Sequence, residues 1–443
     1  MVSIRVCMFV LNQFTNDARV LRECSALSEA GFKVDLICLH DPKQKSLPFY
    51  EKRNAHFQVF RIRRYPILLE LLQKLYHFCL THKAAGLLMF LLWAVFMLYF
   101  PIPAAAITVL GVLLLKSRAK TVWIRMEIFI KMIKKGWSGK YDIYHSNDLN
   151  TLPQGYICSK LRLAKKTLIY DSHEVQTSRT GYDHSIYKWL EASLINKADE
   201  MIVENHTRAR YNKRVYGFYP HVVHNYPFPI RQNISALFSL HRKLGIPLEE
   251  KILLYQGGIQ TGRGLDKLID AVPLFKEGFL VLIGDGKIKK RLQEKVNQQN
   301  LDDRVRFIDK VPLAELPLYT SQAYLGFQVL NNVCFNHYSA SSNKLFEYMM
   351  SGIPVVACRF PEIRRVVESE RTGICIDSHS PEEIAGAVNL LLEDSKLHDE
   401  YSKNAFRAST KYNWDSEKVH FLELYKKTCH SEEGLRWRKI SIK

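Results

Sequence analysis

No C-x-x-C pair occurs in this chain, although it holds nine cysteines. An odd, dispersed set argues against a disulfide framework or a zinc site and for a reducing compartment. There is no D-x-D pair to offer a divalent cation two carboxylates, so no metal ligand set is assigned and no cofactor is expected. No signal peptide is expected either, because "MVSIRVCMFVLN" is short, strand-like and without a small-residue cleavage site. Acidic residues are scarce relative to basic ones, 44 against 63, which leaves a formal net charge of +19. That excess favours anionic partners, namely nucleic acid, phosphorylated small molecules or an anionic membrane face. Nucleic acid is set aside because no reader motif appears. The longest absence is of charge itself, since no charged residue stands between Ala84 and Leu115.

What is present is a repeated strand–helix alternation. With 443 residues and 47% hydrophobic content, the chain has room for two or three domains with large cores. "IRVCMFVL", the helix "ARVLRECSALSEAG" and "FKVDLICL" open it as strand, helix, strand, which predicts a parallel sheet. "FQVFRIRRY" is a further strand. After an interruption, "YDIYHSNDLN", "TLIYDSHE" and "EMIVENH" continue the pattern. A proline-bearing polar stretch follows. "KILLYQGG", "FLVLIGDG", "RVRFID", "AYLGFQVL" and "PVVAC" then read as strands of a second sheet, with helices between. The expected fold class is α/β, two doubly wound Rossmann-like domains facing across a cleft, with a hydrophobic helical hairpin inserted in the first. In such sheets ligands bind beyond the carboxyl ends of the strands.

The interruption is the run "AAGLLMFLLWAVFMLYFPIPAAAITVLGVLLL". An apolar stretch of this length reads as membrane-seeking. Its flanks belong to one sheet and so lie on one side. Arg63, Arg64 and Lys83 precede it, and Lys116, Arg118, Lys120 and Arg125 follow, which places both flanks in the cytoplasm. Pro101 and Pro103 break it into two arms of about 16 residues, roughly 24 Å each, short of a ~30 Å hydrocarbon core. The reading is a hairpin that dips into the membrane, with "RMEIFIKMIKKGWSGK" along an anionic surface. A helical hairpin buried inside the protein is the bland alternative.

"SASSNKLFEYMMSGIPVVAC" carries the most chemistry. Leu345, Tyr348 and Met349 recur at helical spacing, Gly352 suits the left-handed position after a helix, and Pro354 prevents continuation. Asn343 and Glu347 share one helix face. The first turn holds Lys344 and no acid, so its free N–H groups and dipole are available to an anion from outside. Glu347, one turn on, is placed to accept from hydroxyls. A phosphate beside a diol describes a nucleotide-sugar. A surface helix with a capping serine and a solvated Lys–Glu pair fits the same residues.

"NKLFEYMMSGIPVVAC…PEIRRVV" resembles the donor-site signature of the GT-B glycosyltransferases of family four, the group 1 transferases. "NDARVLRECSALSEAGFKVDLI", "YDIYHSNDL", "LIYDSHE", "LLYQGGIQTGRGLDKLIDA" and "LIGDG" match further family segments in order. The resemblance implies a retaining, metal-independent hexosyl transferase of the EC 2.4 type. It implies catalytic roles for His173, Glu347 and Arg263, with Glu347 on the nucleotide ribose, Arg263 on the pyrophosphate and His173 near the transferred sugar. Gly258, Ser339, Ala340, Ser341, Ser342, Asn343, Lys344 and Gly284 join Arg263 and Glu347 on the donor side. Asn16, Asp17 and Arg19 are assigned to the acceptor side. Two positions depart from the pattern. Ser339 stands where the family has glutamate, and Gly258 where it has a basic residue, so Lys344 or Arg19 is expected to supply the missing charge. His173 also fits a core histidine, Gly284 and Gly286 a plain tight turn, His145 and Asp148 a turn cap, and Asp17 and Arg19 a helix N-terminus with a solvated charge pair.

The expected layout is a first domain over 1–226 with the membrane-associating insertion at about 66–138, a linker over 227–250, a donor domain over 251–412, and a helix and basic tail over 413–443. Expected partners are a nucleotide-sugar and a glycan or polyprenyl-linked acceptor for polysaccharide synthesis, with an anionic membrane surface at the cytoplasmic face of the plasma (inner) membrane. The rival readings are a weak or inactive membrane-bound partner of the same fold and a sugar-nucleotide epimerase.

Overall fold

The computed structural model describes residues 4–15, 17–41, 46–116, 119–178, 185–230, 238–378 and 380–440. Apolar runs with no polar alternation make strands covered on both faces, and helices between them are what parallel pairing requires. Eight strands form the first sheet, in the spatial order Tyr50–Lys52, Phe57–Arg63, Lys33–His40, Arg5–Phe9, Ile143–Asn147, Thr167–Ser172, Glu200–Val203 and His221–Val222. Six form the second, in the order Val305–Ile308, Phe279–Ile283, Ile252–Gln256, Leu325–Gln328, Val355–Cys358 and Gly373–Ile376. The second sheet is parallel throughout its registered pairs, with Leu253 opposite Leu280 and Leu325, and Val356 opposite Phe327 and Ile374. The expected α/β class with two doubly wound sheets is the observed one. The sequence reading did not anticipate the short edge strand Tyr50–Lys52, antiparallel to Phe57–Arg63.

By compactness the chain divides into 1–171 with 193–200, and 172–192 with 201–443. In the second unit one core lies on the face of Leu253, Tyr255 and Phe327, and another on the face of Leu254, Val355 and Ala357. The helix Asn343–Met350 packs Leu345, Phe346 and Tyr348 into the latter. It ends as expected, with Gly352 at φ +67° before the buried strand Val355–Cys358.

The interruption is helical. Helices Ile67–Thr81, Lys83–Tyr99, Pro101–Lys116 and Ala119–Ser138 follow one another, and the break expected at the prolines falls at Phe100. No residue of Lys83–Tyr99 is buried. Leu87, Phe90, Leu92, Leu98, Ile102 and Leu110 are all exposed. This outcome removes the buried-hairpin alternative, because these side chains have no protein interior around them. Among the described residues no single helix is long and apolar enough to cross a membrane, and Ile67–Thr81 and Lys83–Tyr99 meet at a 115° bend.

Candidate functional site

In the second unit the loop 340–342 delivers the chain to the helix Asn343–Met350. Ser342 occupies the N-cap position with extended backbone, yet its side chain makes no capping bond. The first turn therefore keeps N–H groups for another partner. Lys344 is only 7% exposed. Its Nζ lies 4.2 Å from the centre of the Tyr255 ring. A Cβ at Gly257, whose φ is +129°, would stand 3.2 Å from Lys344 Cε and 3.3 Å from its Nζ, so the glycine makes room for the ammonium. Among the described residues no carboxylate forms an ion pair with Lys344. Burial, then the neighbouring Arg263, push its pKa down from 10.5 to about 7, while Glu347 pulls the other way. Arg263 is half-buried, and its Nε is enclosed without a hydrogen-bond partner. Two cations near each other, neither in an ion pair among the described residues, beside an open helix start, form a site for an external anion.

Glu347 is one turn along the same helix. Gln256, at the carboxyl end of its strand, donates from Nε2 to Glu347 Oε2 at 2.6 Å, and its Oε1 accepts from Thr320 Oγ1 at 2.7 Å. The Gln256 N–H donates to the Tyr348 hydroxyl at 3.1 Å, which donates to Leu254 O at 3.0 Å. This chain of bonds fixes the carboxylate from below. The strand-end glycines press together: a Cβ at Gly284 would fall 1.9 Å from Gly257 O, and one at Gly286 2.0 Å from Ile259 O. Gly284 is therefore a packing requirement as well as a turn. Gly258 is exposed and offers its carbonyl to the Tyr255 hydroxyl at 2.9 Å, so it supplies no charge. Of the two residues expected to make up for it, Lys344 is the one beside Arg263.

Two assigned residues of this unit are bonded to Arg208. Ser339 is fully buried, with its carbonyl accepting from Asn205 Nδ2 at 2.8 Å and its hydroxyl from Arg208 Nε at 3.2 Å. The His173 carbonyl also accepts from Arg208. Ala340 and Ser341 lie between this anchor and the helix, and Ser341 is buried.

In the first unit two of the three acceptor-side candidates are described, Asp17 as a helix cap and Arg19 as a buried side chain. Asn16 lies outside the described residues. Asp17 caps the helix Ala18–Glu29, accepting from Val20 N at 3.2 Å and from Asn12 Nδ2 at 2.7 Å. Arg19 does not stand on an open face. It is 5% exposed, binds Asp171 through Nε at 3.0 Å and Nη2 at 2.9 Å, and pairs with Glu23 at 3.0 Å. The physical reason is local: an arginine two residues into an inward-facing helix reaches the buried strand end at Asp171. His145, fully buried, lies 3.8 Å from both carboxylates. Glu23, His145 and Asp171 bring one ligand atom each within 4.8 Å of one another. They do not fit a divalent ion, because the Arg19 guanidinium already occupies the place of the cation between the two carboxylates.

Tyr255, Gln256, Thr320, Asn205 and Arg208 escaped the sequence reading. Only Gln256 had a local signal, a polar residue closing the apolar run "ILLYQ".

The two sheets and their helices define the class, an α/β fold of the GT-B type. Sucrose-phosphate synthase from Thermosynechococcus elongatus shares it with a TM-score of 0.68 at 18% identity, over 97% of this chain and 100% of that one. Anabaena HepE in complex with UDP-glucose shares it with a TM-score of 0.67 at 16% identity, over 96% of this chain and 100% of that one. Residues 238–408 match the model of the family described as glycosyl transferases group 1. A D-inositol 3-phosphate glycosyltransferase of Xylanimonas cellulosilytica is 24% identical over 249 residues, 53% of this chain and 58% of the relative. One from Corynebacterium glutamicum is 26% identical over 210 residues, 45% and 49% of the two chains. The chain spans about half the length of the curated relatives it matches.

Proposed function

We propose that this protein transfers a hexosyl unit from a nucleotide-diphosphate donor, with retention of anomeric configuration, to a glycan acceptor carried on a lipid. The observation that carries the donor reading is the pair Lys344 and Arg263, buried and half-buried with no carboxylate ion pair among the described residues, beside the uncapped start of the Asn343–Met350 helix. A departing diphosphate develops negative charge, and charge placed beforehand lowers the barrier to its departure. The sugar left behind passes through an oxocarbenium-like state. In this reading Lys344, Arg263 and the helix N–H groups hold the diphosphate and Glu347 holds the ribose hydroxyls. These cations make a divalent ion unnecessary, so transfer is expected to persist in excess chelator. That Anabaena HepE binds UDP-glucose makes uridine donors the first to test. The test is a thermal-shift panel of nucleotide-sugars, in which binding raises the melting temperature by mass action. The reading fails if no nucleotide or nucleotide-sugar moves the transition.

The acceptor reading rests on the helices from Ile67 to Ser138. In Lys83–Tyr99 and Pro101–Lys116 the exposed leucines and phenylalanines stand in a run with no charged residue between Ala84 and Leu115, so a bilayer suits them better than water does. Helices of 17 and 16 residues are about 26 and 24 Å long, short of a ~30 Å hydrocarbon core, and would dip into it from the cytoplasmic side. Lys131, Lys134 and Lys135 on the following helix suit anionic headgroups. Sedimentation with anionic vesicles should capture the full chain and lose the variant lacking residues 84–115. A full chain left in the supernatant would refute membrane attachment while leaving the donor reading intact.

A further inference from the structure

The turn that leads into the donor helix is held by side chains that no donor motif contains. Arg208 is 4% exposed, on the first turn of the helix His206–Tyr216. Its Nε donates to the Ser339 hydroxyl at 3.2 Å, and its Nη1 donates to the His173 carbonyl and to the Glu204 carboxylate. Asn205, fully buried, accepts from Arg208 N at 3.0 Å through Oδ1 and donates from Nδ2 to Ser339 O at 2.8 Å. Asn336 closes the same seam from the other side. It accepts from Val175 N at 2.9 Å and donates to Val175 O at 3.1 Å. Ser339 also donates its own N–H to Phe335 O at 2.8 Å. Both polar ends of Ser339 are thus taken by one helix start.

We propose that Arg208 is a positioning residue for sugar transfer, tying the backbone of His173 to the Ser339 anchor of the donor loop. The proposal rests on the donor reading above and adds the part that sets the sugar end of the site. A planar guanidinium reaches three acceptors in fixed directions, which a single ammonium on a flexible stem does not. Glu204 offsets the buried charge, so the arginine is retained without a ligand to neutralise it. The arrangement also accounts for the serine at 339. A side chain there is enclosed and committed to Arg208, so the position serves as an anchor and the loop 340–342 leaves it in one direction. Loss of the fork lets the His173 segment and the 335–339 turn shift relative to each other. The diphosphate cations Lys344 and Arg263 are untouched by that loss.

The test compares wild type with Arg208→Gln and Arg208→Lys. Amide hydrogen exchange of segments 173–176 and 335–341 is read in the ligand-free protein, UDP affinity by calorimetry, and turnover as UDP release from UDP-glucose. Exchange in both segments should accelerate about tenfold or more in Arg208→Gln. UDP affinity should stay within about threefold, while turnover falls about 100-fold, the cost of misplacing a reacting group by an ångström. Arg208→Lys keeps the charge beside Glu204 and should fold even if Arg208→Gln does not, with the same split between affinity and turnover. Exchange rates unchanged in the folded variants overturn the proposal. So does turnover near the wild-type level, or UDP affinity that falls in step with turnover. If wild type neither binds UDP nor releases it from UDP-glucose, the donor reading for uridine nucleotides fails, and the exchange measurement still decides the brace.

Discussion

Arg19 and Lys344 are two buried cations, and their surroundings differ in one respect. Arg19, in the first unit, has a bidentate bond to Asp171 and an ion pair with Glu23. Lys344, in the second, has a tyrosine ring, a glycine and another cation for neighbours, and no carboxylate in ion-pair range among the described residues. Burying a charge costs several kcal/mol unless it is paired. A cation supplied with its own acids is part of the architecture. One kept without them is open to a partner from outside, which in the proposed reading is the donor diphosphate. The sequence treats the two alike, as charges near a strand–helix turn.

The comparison is most easily broken at Arg19. Arg19→Ala leaves Asp171 and Glu23 buried without their counter-charge, and should lower unfolding free energy by about 3–5 kcal/mol. Urea melts of the purified variant check this. A variant as stable as wild type but unable to transfer would return Arg19 to the acceptor side. The next largest effect belongs to the other cluster. Arg263→Ala and Glu347→Ala should each leave the melt nearly unchanged and cut transfer by one to two decades, roughly the 1.5–3 kcal/mol of one charge-assisted hydrogen bond. Near-native turnover in either folded variant would remove that residue from the donor site. Ser339→Glu puts a larger, charged side chain into an enclosed site committed to Arg208, and should lower unfolding free energy by about 1–3 kcal/mol. Wild type should turn over as it stands, so restoring the family residue is not needed. An inactive wild type revived by this substitution would instead mark a decayed enzyme.

How far the sequence could be read follows from the range of each interaction. The strand Val355–Cys358 and the stop at Gly352 were legible because residues within ten positions of each other specify them. The break at Phe100 was legible from Pro101 and Pro103 for the same reason. The edge strand Tyr50–Lys52 was not, since three residues set no period. Within the site, Glu347 was visible by its place on the helix, but its support was not. Gln256 reaches it across 91 positions, and Arg208 reaches Ser339 across 131. Such partners leave no local pattern. Burial decides their role, and a sequence does not show that Arg19 points inward to Asp171 while Lys344 has no ion-pair partner among the described residues.

The finest distinction between the two cations is in pH. Lys344 titrates near 7 in the folded protein and at 10.5 ordinarily, with burial the first cause and Arg263 the second. Between those values the unfolded chain binds the proton and the folded, ligand-free protein does not, so stability rises with pH across that window. Below pH 7 both states are protonated and the folded state carries the full cost of the buried charge. Lys344→Met keeps the length and removes the charge. It should raise the stability of the ligand-free protein at pH 6 by about 1–2 kcal/mol, the full linkage being reduced by the lost contact with the Tyr255 ring. It should also flatten the rise between pH 7 and 10. Donor binding runs the opposite way. A diphosphate favours the ammonium, so binding takes up a proton near neutral pH and affinity weakens as pH climbs above 7. Calorimetric titrations with UDP in buffers of different ionisation enthalpy measure that uptake directly. Wild type should take up a fraction of a proton through this group at pH 8, and Lys344→Met should bind more weakly and lose that part of the uptake. Equal proton uptake by the two proteins would mean that Lys344 does not face the diphosphate, and the contrast with Arg19 would reduce to one of burial alone.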